Sequence, residues 1–378
     1  MQIDFHYYAA CCAAALAGFD PGESLAIATA SQYVDCCTKT SLKKMKAPLA
    51  AATTQTQMEM MDSRPGLLSL QDITRIWASF HFLPGDLYAK KKGCSRQYLN
   101  KYRLICQPNS ALLADTLEQA KKIGTLQSFG LALHILADTW AHRYFAGTPS
   151  MVINNITAYF YEARTVEGKE EWKKVEFRHS VSAPDDLEAG KYTNTLIQFN
   201  EYSVMNLGHG RVGHLPDYSF AKYRYLPAWG DYEEVVKDNP AEYLQAFAQM
   251  VYALKWLRGG AGPFRLNTYD WDAVAPIREE VEAILRKRRP LACEDWKALA
   301  ERLTGEAVPD FSETAYEREY VCAPAEEREQ TAPGRFLHAA LAQKSLVSRK
   351  IFESGNLAAG IVLERSRFWN RKKGGGAK

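Results

Sequence analysis

Residues 126–145 read "LQSFGLALHILADTWAHRYF". Leu, Ala, Ile and Trp dominate, and nothing after Gly130 breaks a helix, so the stretch predicts one long buried helix. Inside it His134, Asp138 and His142 recur every four residues. On an α-helix each such step turns by only about 40° and climbs about 6 Å, so the three share one stripe. The ends of the stripe are about 12 Å apart, too far to share an ion. Two adjacent ions fit better: His134 and Asp138 on one, His142 on the other, with Asp138 as a bridge. An ionised Asp138 among Leu133, Ile135, Leu136, Ala137 and Trp140 needs a compensating partner, and a divalent cation is one. The plainer alternative is a salt-bridge pattern flanked by ordinary polar histidines.

The remaining histidines favour the first reading. The chain has eight, and most of those outside the stripe keep acidic or glycine-rich company. "IDFHYY" pairs Asp4 with His6, "SQYVD" closes on Asp35, and "ASFHFLPGD" puts His81 before Pro84-Gly85. "LGHGRVGHLPD" holds His209, His214 and Asp217 among glycines that let backbone approach an ion. His179 and His338 lack such neighbours and read as surface and packing residues.

The rest of the chain is expected to be mainly α. "DPGESLAIATASQYVD" starts a helix with Asp20 as N-cap and Pro21 in its first turn. Residues 38–68 show no clear period and are expected to be a loop with a short strand pair. "NSALLADTLEQAKK" predicts a helix capped by Asn109. Residues 148–192 carry β-branched and aromatic residues with weak alternation, which predicts a small β or loop insertion. Further helices are expected at about 193–206, 240–257, 271–288, 294–304 and 332–353. A catalytic core over 1–230 and C-terminal helices over 231–378 are read as parts of one domain.

Composition narrows the function classes. Of 378 residues 47% are hydrophobic and 24% charged, with a formal net charge of +3. That is globular, and too weakly basic to argue generally for nucleic acid. The longest apolar run, Tyr7–Phe19, is well short of the roughly 20 residues that span a bilayer, and no basic region precedes it. Neither a signal peptide nor a transmembrane helix is expected, which points to the cytoplasm, with signal-less export as an effector as the alternative. The eight cysteines show no C-x-x-C spacing and are expected to be reduced and structural.

Taken together, "DFHYY…ASQYVD", "FHFLPG", "HILADTWAHRYFAG" and "GHGRVGHLPDY" resemble the zinc-dependent phospholipase C and single-strand nuclease superfamily, and within its circle a bacterial family of uncharacterised function. The resemblance covers roughly residues 3–230. It implies a multi-helix, phospholipase-C-like bundle, with two or three zinc ions in a cleft and hydrolysis of phosphate esters. Carried over by position, one zinc takes Asp35, His81, His134 and Asp138. Asp138 bridges to a second zinc that also uses His6. A third takes His142 with His209 and His214, or with Asp217. The relatives' zinc-binding N-terminal Trp has no counterpart at its position, and Asp4 is the substitute ligand. The family's closing H-x-x-x-E motif is also replaced by a different spacing.

The implied mechanism is attack by a metal-activated water, with Asp138 bridging and Asp35 aligning or deprotonating the water. Trp140, Tyr144 and Phe145 are expected to shape the cleft or the core, and Arg143 to meet phosphate or a surface acid. A phospholipid or related phosphodiester is the expected substrate. Peripheral membrane contact would come through basic runs such as "LKKMK" (42–46), "KKKG" (90–93) and "LRKRRP" (285–290). A single-strand nuclease or other phosphoesterase comes next. The non-enzyme alternative is a toxin-like or structural metal-binding module whose C-terminal region binds a protein partner.

Overall fold

A computed structural model describes residues 1–62, 67–156, 158–180, 182–196 and 198–361. The chain begins with a π-helical turn, Asp4–Ala9, that runs straight into α1 (Ala10–Leu16). Asp20 accepts from the Glu23 N–H and Glu23 caps back, opening α2 (Pro21–Tyr33) as the sequence predicts. Asp35 lies just past its end.

Residues 38–62 depart from expectation. They form α3 (Lys39–Met45), a 3-10 turn (Leu49–Ala51) and α4 (Gln57–Asp62). Thr38 caps α3 by accepting from the Ser41 N–H, and Thr40 ties α4 back by donating to Glu59. Neither helix reaches two full turns, so no period could show in the sequence. Positions 63–66 of the same expected loop lie outside the described residues.

There follow α5 (Leu67–Phe80), α6 (Arg96–Tyr102), α7 (Ala111–Ile123) and α8 (Leu126–Ala141). The cap of α7 is Ser110, not Asn109, which sits at φ +57 and accepts from Gln249 Nε2 and the Asn267 N–H. Thr125 and Ser128 form a capping box at the start of α8, and residues 127–141 are all buried.

The β insertion exists but reaches further than residue 192. Strands β1 (Tyr161–Val166) and β2 (Lys169–Lys174) pair antiparallel through a turn in which Glu167 and Gly168 both hold positive φ, as a tight hairpin requires. Strands β3 (Glu176–Arg178) and β4 (Lys191–Thr193) form a short parallel pair. Strands β5 (Lys222–Tyr225) and β6 (Val235–Asp238) complete a sheet of order β2-β1-β5-β6. Strand β5 buries Tyr223 and Tyr225 on one face, where Phe160 stacks on both rings. The expected helix at 193–206 is absent: the described residues there hold only β4 at the start and a 3-10 turn, Val204–Asn206. Asn206 explains part of this, since its side chain donates to the carbonyls of Gln198 and Asn200 and fixes an irregular loop.

The C-terminal part supplies α9 (Asn239–Gly259), α10 (Trp271–Val274), α11 (Arg278–Leu285), α12 (Cys293–Thr304), α13 (Glu313–Cys322) and α14 (Ala332–Glu353). The expected helix over 271–288 is broken by a 3-10 turn at Ala275–Ile277 containing Pro276. Helix α8 runs through the middle, against α2, α7, α9 and α14. Gly130 permits its closest approach, lying on Ile27, Ala30 and Ser31 of α2. One apolar cluster extends from Met1 to Ala359, and a second, aromatic one joins Phe82, Cys106 and Phe145 to the β insertion. The cysteines are free. Among the described residues no helix is long and apolar enough to cross a membrane.

Candidate metal centre

Asp138 projects from α8 with its side chain 1% exposed. Its Oδ1 lies 3.1 Å from His6 Nε2, at the π-helical turn. Its Oδ2 lies 3.1 Å from His81 Nδ1, past the end of α5, and 3.2 Å from His134 Nε2, one turn earlier on α8. His142 caps α8, its N–H still bonded to the Asp138 carbonyl, and its Nδ1 is 3.5 Å from Asp138 Oδ2. Its Nε2 reaches Asp217 Oδ1 at 3.0 Å, and His209 Nε2 is 3.5 Å from Asp217 Oδ2.

The donor atoms fall into three sets, each within 4.8 Å: His6, His134 and Asp138; Asp35, His81 and His134; His142, His209 and Asp217. His134 belongs to two of them. The Met1 amine lies 2.7 Å from Asp138 Oδ1 and 3.3 Å from Asp217 Oδ1. Burial works against its charge, but Asp138, Asp217 and Asp35 overcome this and push its pKa up to about 11. One ammonium among three carboxylates still leaves the centre with surplus negative charge.

Most of the expected residues are thus brought together, and two are not. Asp4 is buried but turned away: its carboxylate accepts from the Phe5 and Ala292 N–H groups and ties the chain start to the N-terminus of α12. His214 is 66% exposed, 3.6 Å from Asp217 and beside Gln2 Nε2, outside all three sets. The 3-10 turn Leu215–Asp217 buries its own residues, so Asp217 faces His142 and His209 in the place expected for His214, a correction to the preferred ligand of the third set. Pro216 in that turn is the signal in the sequence. Trp140 is core, donating to Gln249, and Phe145 is buried in the aromatic cluster. Arg143 is held by Gln107 and Glu242 rather than left for a phosphate.

Hydrogen positions decide what the centre needs. His81 Nε2 faces the Thr53 carbonyl at 3.1 Å, His142 Nδ1 the His81 carbonyl at 2.6 Å, and His209 Nδ1 the Gly213 carbonyl at 2.6 Å. A carbonyl only accepts, so these nitrogens carry the hydrogens. In a neutral ring the other nitrogen then presents a lone pair to Asp138 or Asp217. Two lone pairs at that range repel unless a second proton or a cation lies between them. Burial pushes His209 down to about 4, and burial with the nearby His134 and the Met1 ammonium pushes His6 down to about 3. His209, held neutral with Nδ1 anchored to a carbonyl, is in the state and orientation of a metal ligand, and His81 and His142 are anchored in the same way. The Thr53 and Gly213 carbonyls carry no side-chain signal, so the sequence could not have named them.

The same shifts set an acid limit for the metal-free protein. His6 and His209 have folded-state pKa values below the unfolded 6.5, so unfolding takes up protons. Their contribution is complete above about pH 6.5 and is lost as pH falls toward about 4 for His209 and about 3 for His6. Asp138 and Asp217 act in the same direction lower down. Burial alone would raise them, but His142, the Met1 ammonium, His134 and His6 hold Asp138 well below the usual range, and the ammonium and His209 do so for Asp217. Chelator-treated protein is expected to lose melting temperature steadily from pH 7 to pH 4. A flat profile would contradict the buried, neutral histidines.

No curated protein and no solved structure matches the chain. A family model described as a family of unknown function, DUF6765, matches residues 1–351, well past the resemblance read over residues 3–230 and through most of α14. The helical bundle, the β insertion and the histidine–aspartate centre all fall inside that match, and the chain belongs to the DUF6765 family.

Proposed function

We propose that the protein is a zinc-dependent phosphoesterase, with a phospholipase C-like preference for a phosphodiester of a lipid or related molecule. The observation that carries the reading is the set of three carbonyl-anchored imidazoles whose free nitrogens face Asp138 and Asp217. Imidazole and carboxylate donors without thiolate suit zinc among the first-row metals. Bound divalent cations would supply neutralisation of the phosphodiester charge and acidification of a nearby water.

The chain's own residues divide the remaining work. His6, His134 and Asp138 are fully enclosed and hold position. Asp35 is the exception: its side chain is 32% exposed, its Oδ1 lies 3.8 Å from both His81 Nδ1 and His134 Nε2, and its Oδ2 accepts from Gln32. A carboxylate at the edge between the buried set and solvent is placed to take the proton of an attacking water as the phosphorus–oxygen ester bond breaks.

The test is elemental analysis of protein expressed with ample metal, followed by hydrolysis of a panel of phosphodiesters with and without a chelator. Two or three zinc equivalents, with hydrolysis lost on chelation and restored by zinc, are expected. Protein that binds no transition metal overturns the reading. Full metal occupancy with no hydrolysis of any ester would favour a structural metal module instead.

A further inference from the structure

Two segments that lead into the centre carry unusually bare apolar side chains. The first runs from Asp35 through α3 and α4 and includes Thr53, whose carbonyl anchors His81. Along it Leu49 is 41% exposed, Met58 68% and Met61 55%. The second is the loop that precedes His209, where Leu196 is 46% exposed and Phe199 88%. The two meet: Gln57 Nε2 lies 3.2 Å from Met205 Sδ, and the Met205 carbonyl accepts from Thr195 Oγ1 at 3.0 Å. Lys43, Lys44 and Lys46 are exposed on the first segment. A phenylalanine and two methionines at such exposure, on adjoining segments that also carry three exposed lysines, mark an interaction surface.

We propose that this rim docks the protein on an anionic phospholipid surface, with Phe199, Met58 and Met61 entering the headgroup boundary and the three lysines meeting lipid phosphates. The inference rests on the phosphoesterase reading for its purpose, since the rim borders the Asp35 and His209 sides of the centre. Its physical basis is separate: apolar side chains that insert, and cations complementary to the surface. The lysines alone would give binding that salt abolishes, and the apolar group alone would not distinguish lipid charge.

The experiment is co-sedimentation of the full-length, metal-replete protein with phosphatidylcholine vesicles and with vesicles that also contain phosphatidylserine. Binding to the anionic vesicles is expected. It should weaken at least tenfold in Met58→Ser/Met61→Ser/Phe199→Ser, and by roughly fivefold per lysine in Lys43→Glu/Lys44→Glu/Lys46→Glu. Turnover of a water-soluble phosphodiester should be unchanged in both variants, which also shows that they fold. Three outcomes overturn the rim: no sedimentation with either vesicle, a patch-dependent dimer by ultracentrifugation, or patch-dependent binding of single-stranded DNA in place of vesicles. Soluble turnover without vesicle binding removes the rim alone. Vesicle binding without turnover of any ester removes the hydrolase reading alone.

Discussion

Asp138→Asn is expected to empty the first two sets and to abolish hydrolysis. The exchange keeps shape and removes one negative charge from beneath four imidazoles, those of His6, His81, His134 and His142. An amide oxygen is a poorer ligand than a carboxylate and cannot neutralise a divalent ion. Residues that merely orient ligands cost about 10–100-fold in metal affinity, so a central carboxylate should cost at least about 100-fold. The metal-free protein suffers as well, because the Met1 ammonium loses its nearer partner at 2.7 Å. Breaking a buried pair from one side costs on the order of 3–5 kcal/mol. Elemental analysis should therefore be read beside circular dichroism, and Asp35→Asn supplies the companion measurement. That half-exposed edge residue should leave helix content intact and reduce turnover more than metal content. Unchanged metal content in folded Asp138→Asn protein would remove Asp138 from the centre.

The second large effect is expected at Gly130, where two ordinary arguments point in opposite directions. Alanine is a better helix former than glycine by about 1 kcal/mol, so propensity alone makes Gly130→Ala stabilising. The added methyl would overlap the Ile27 carbonyl oxygen, and would sit 2.8 Å from Ala30 Cβ and 2.9 Å from the Ser31 nitrogen. These neighbours are backbone and a methyl on a packed helix, so no flexible side chain can yield. Overpacking of this kind costs about 1–3 kcal/mol, and the clash outweighs the propensity. Helix α8 must then move from α2, and His134 and Asp138 move with it, away from Asp35. Gly130→Ala is expected to melt below wild type and Gly130→Val lower still, with zinc retention falling in the same order. A melting temperature at or above wild type would mean that α2 and α8 are not in contact there.

The parts of this molecule that could be read from sequence are those governed by short-range rules. The Asp20–Glu23 capping box, the enclosed α8 and the Pro-started helix at 332–353 declare themselves through caps and periodicity. The stripe His134–Asp138–His142 follows from helix geometry alone, whereas His6, Asp35, His81 and His209 joined it only through their acidic or glycine-rich neighbours and the family resemblance. What escaped depends on distant partners. Asp4 carries a carboxylate beside His6, but an N–H of Ala292 claims it from far along the chain. Helices α3 and α4 are too short for a pattern. The sheet closes through β5 and β6 because Tyr223 and Tyr225 pack on Phe160, a match made across more than sixty residues and invisible in either segment alone.

That His134 serves two sets at once bears on how the protein is made. Every donor of those two sets lies within the first 138 residues, whereas the third also needs His209 and Asp217, which lie within the β insertion, between β4 and β5. A chain still being synthesised can therefore present a pair of coupled sites before the third exists. Because both members draw on His134 Nε2, and one ring nitrogen holds one cation, they compete for that donor, so an early cation should settle between the two sets while the third waits until the sheet has folded.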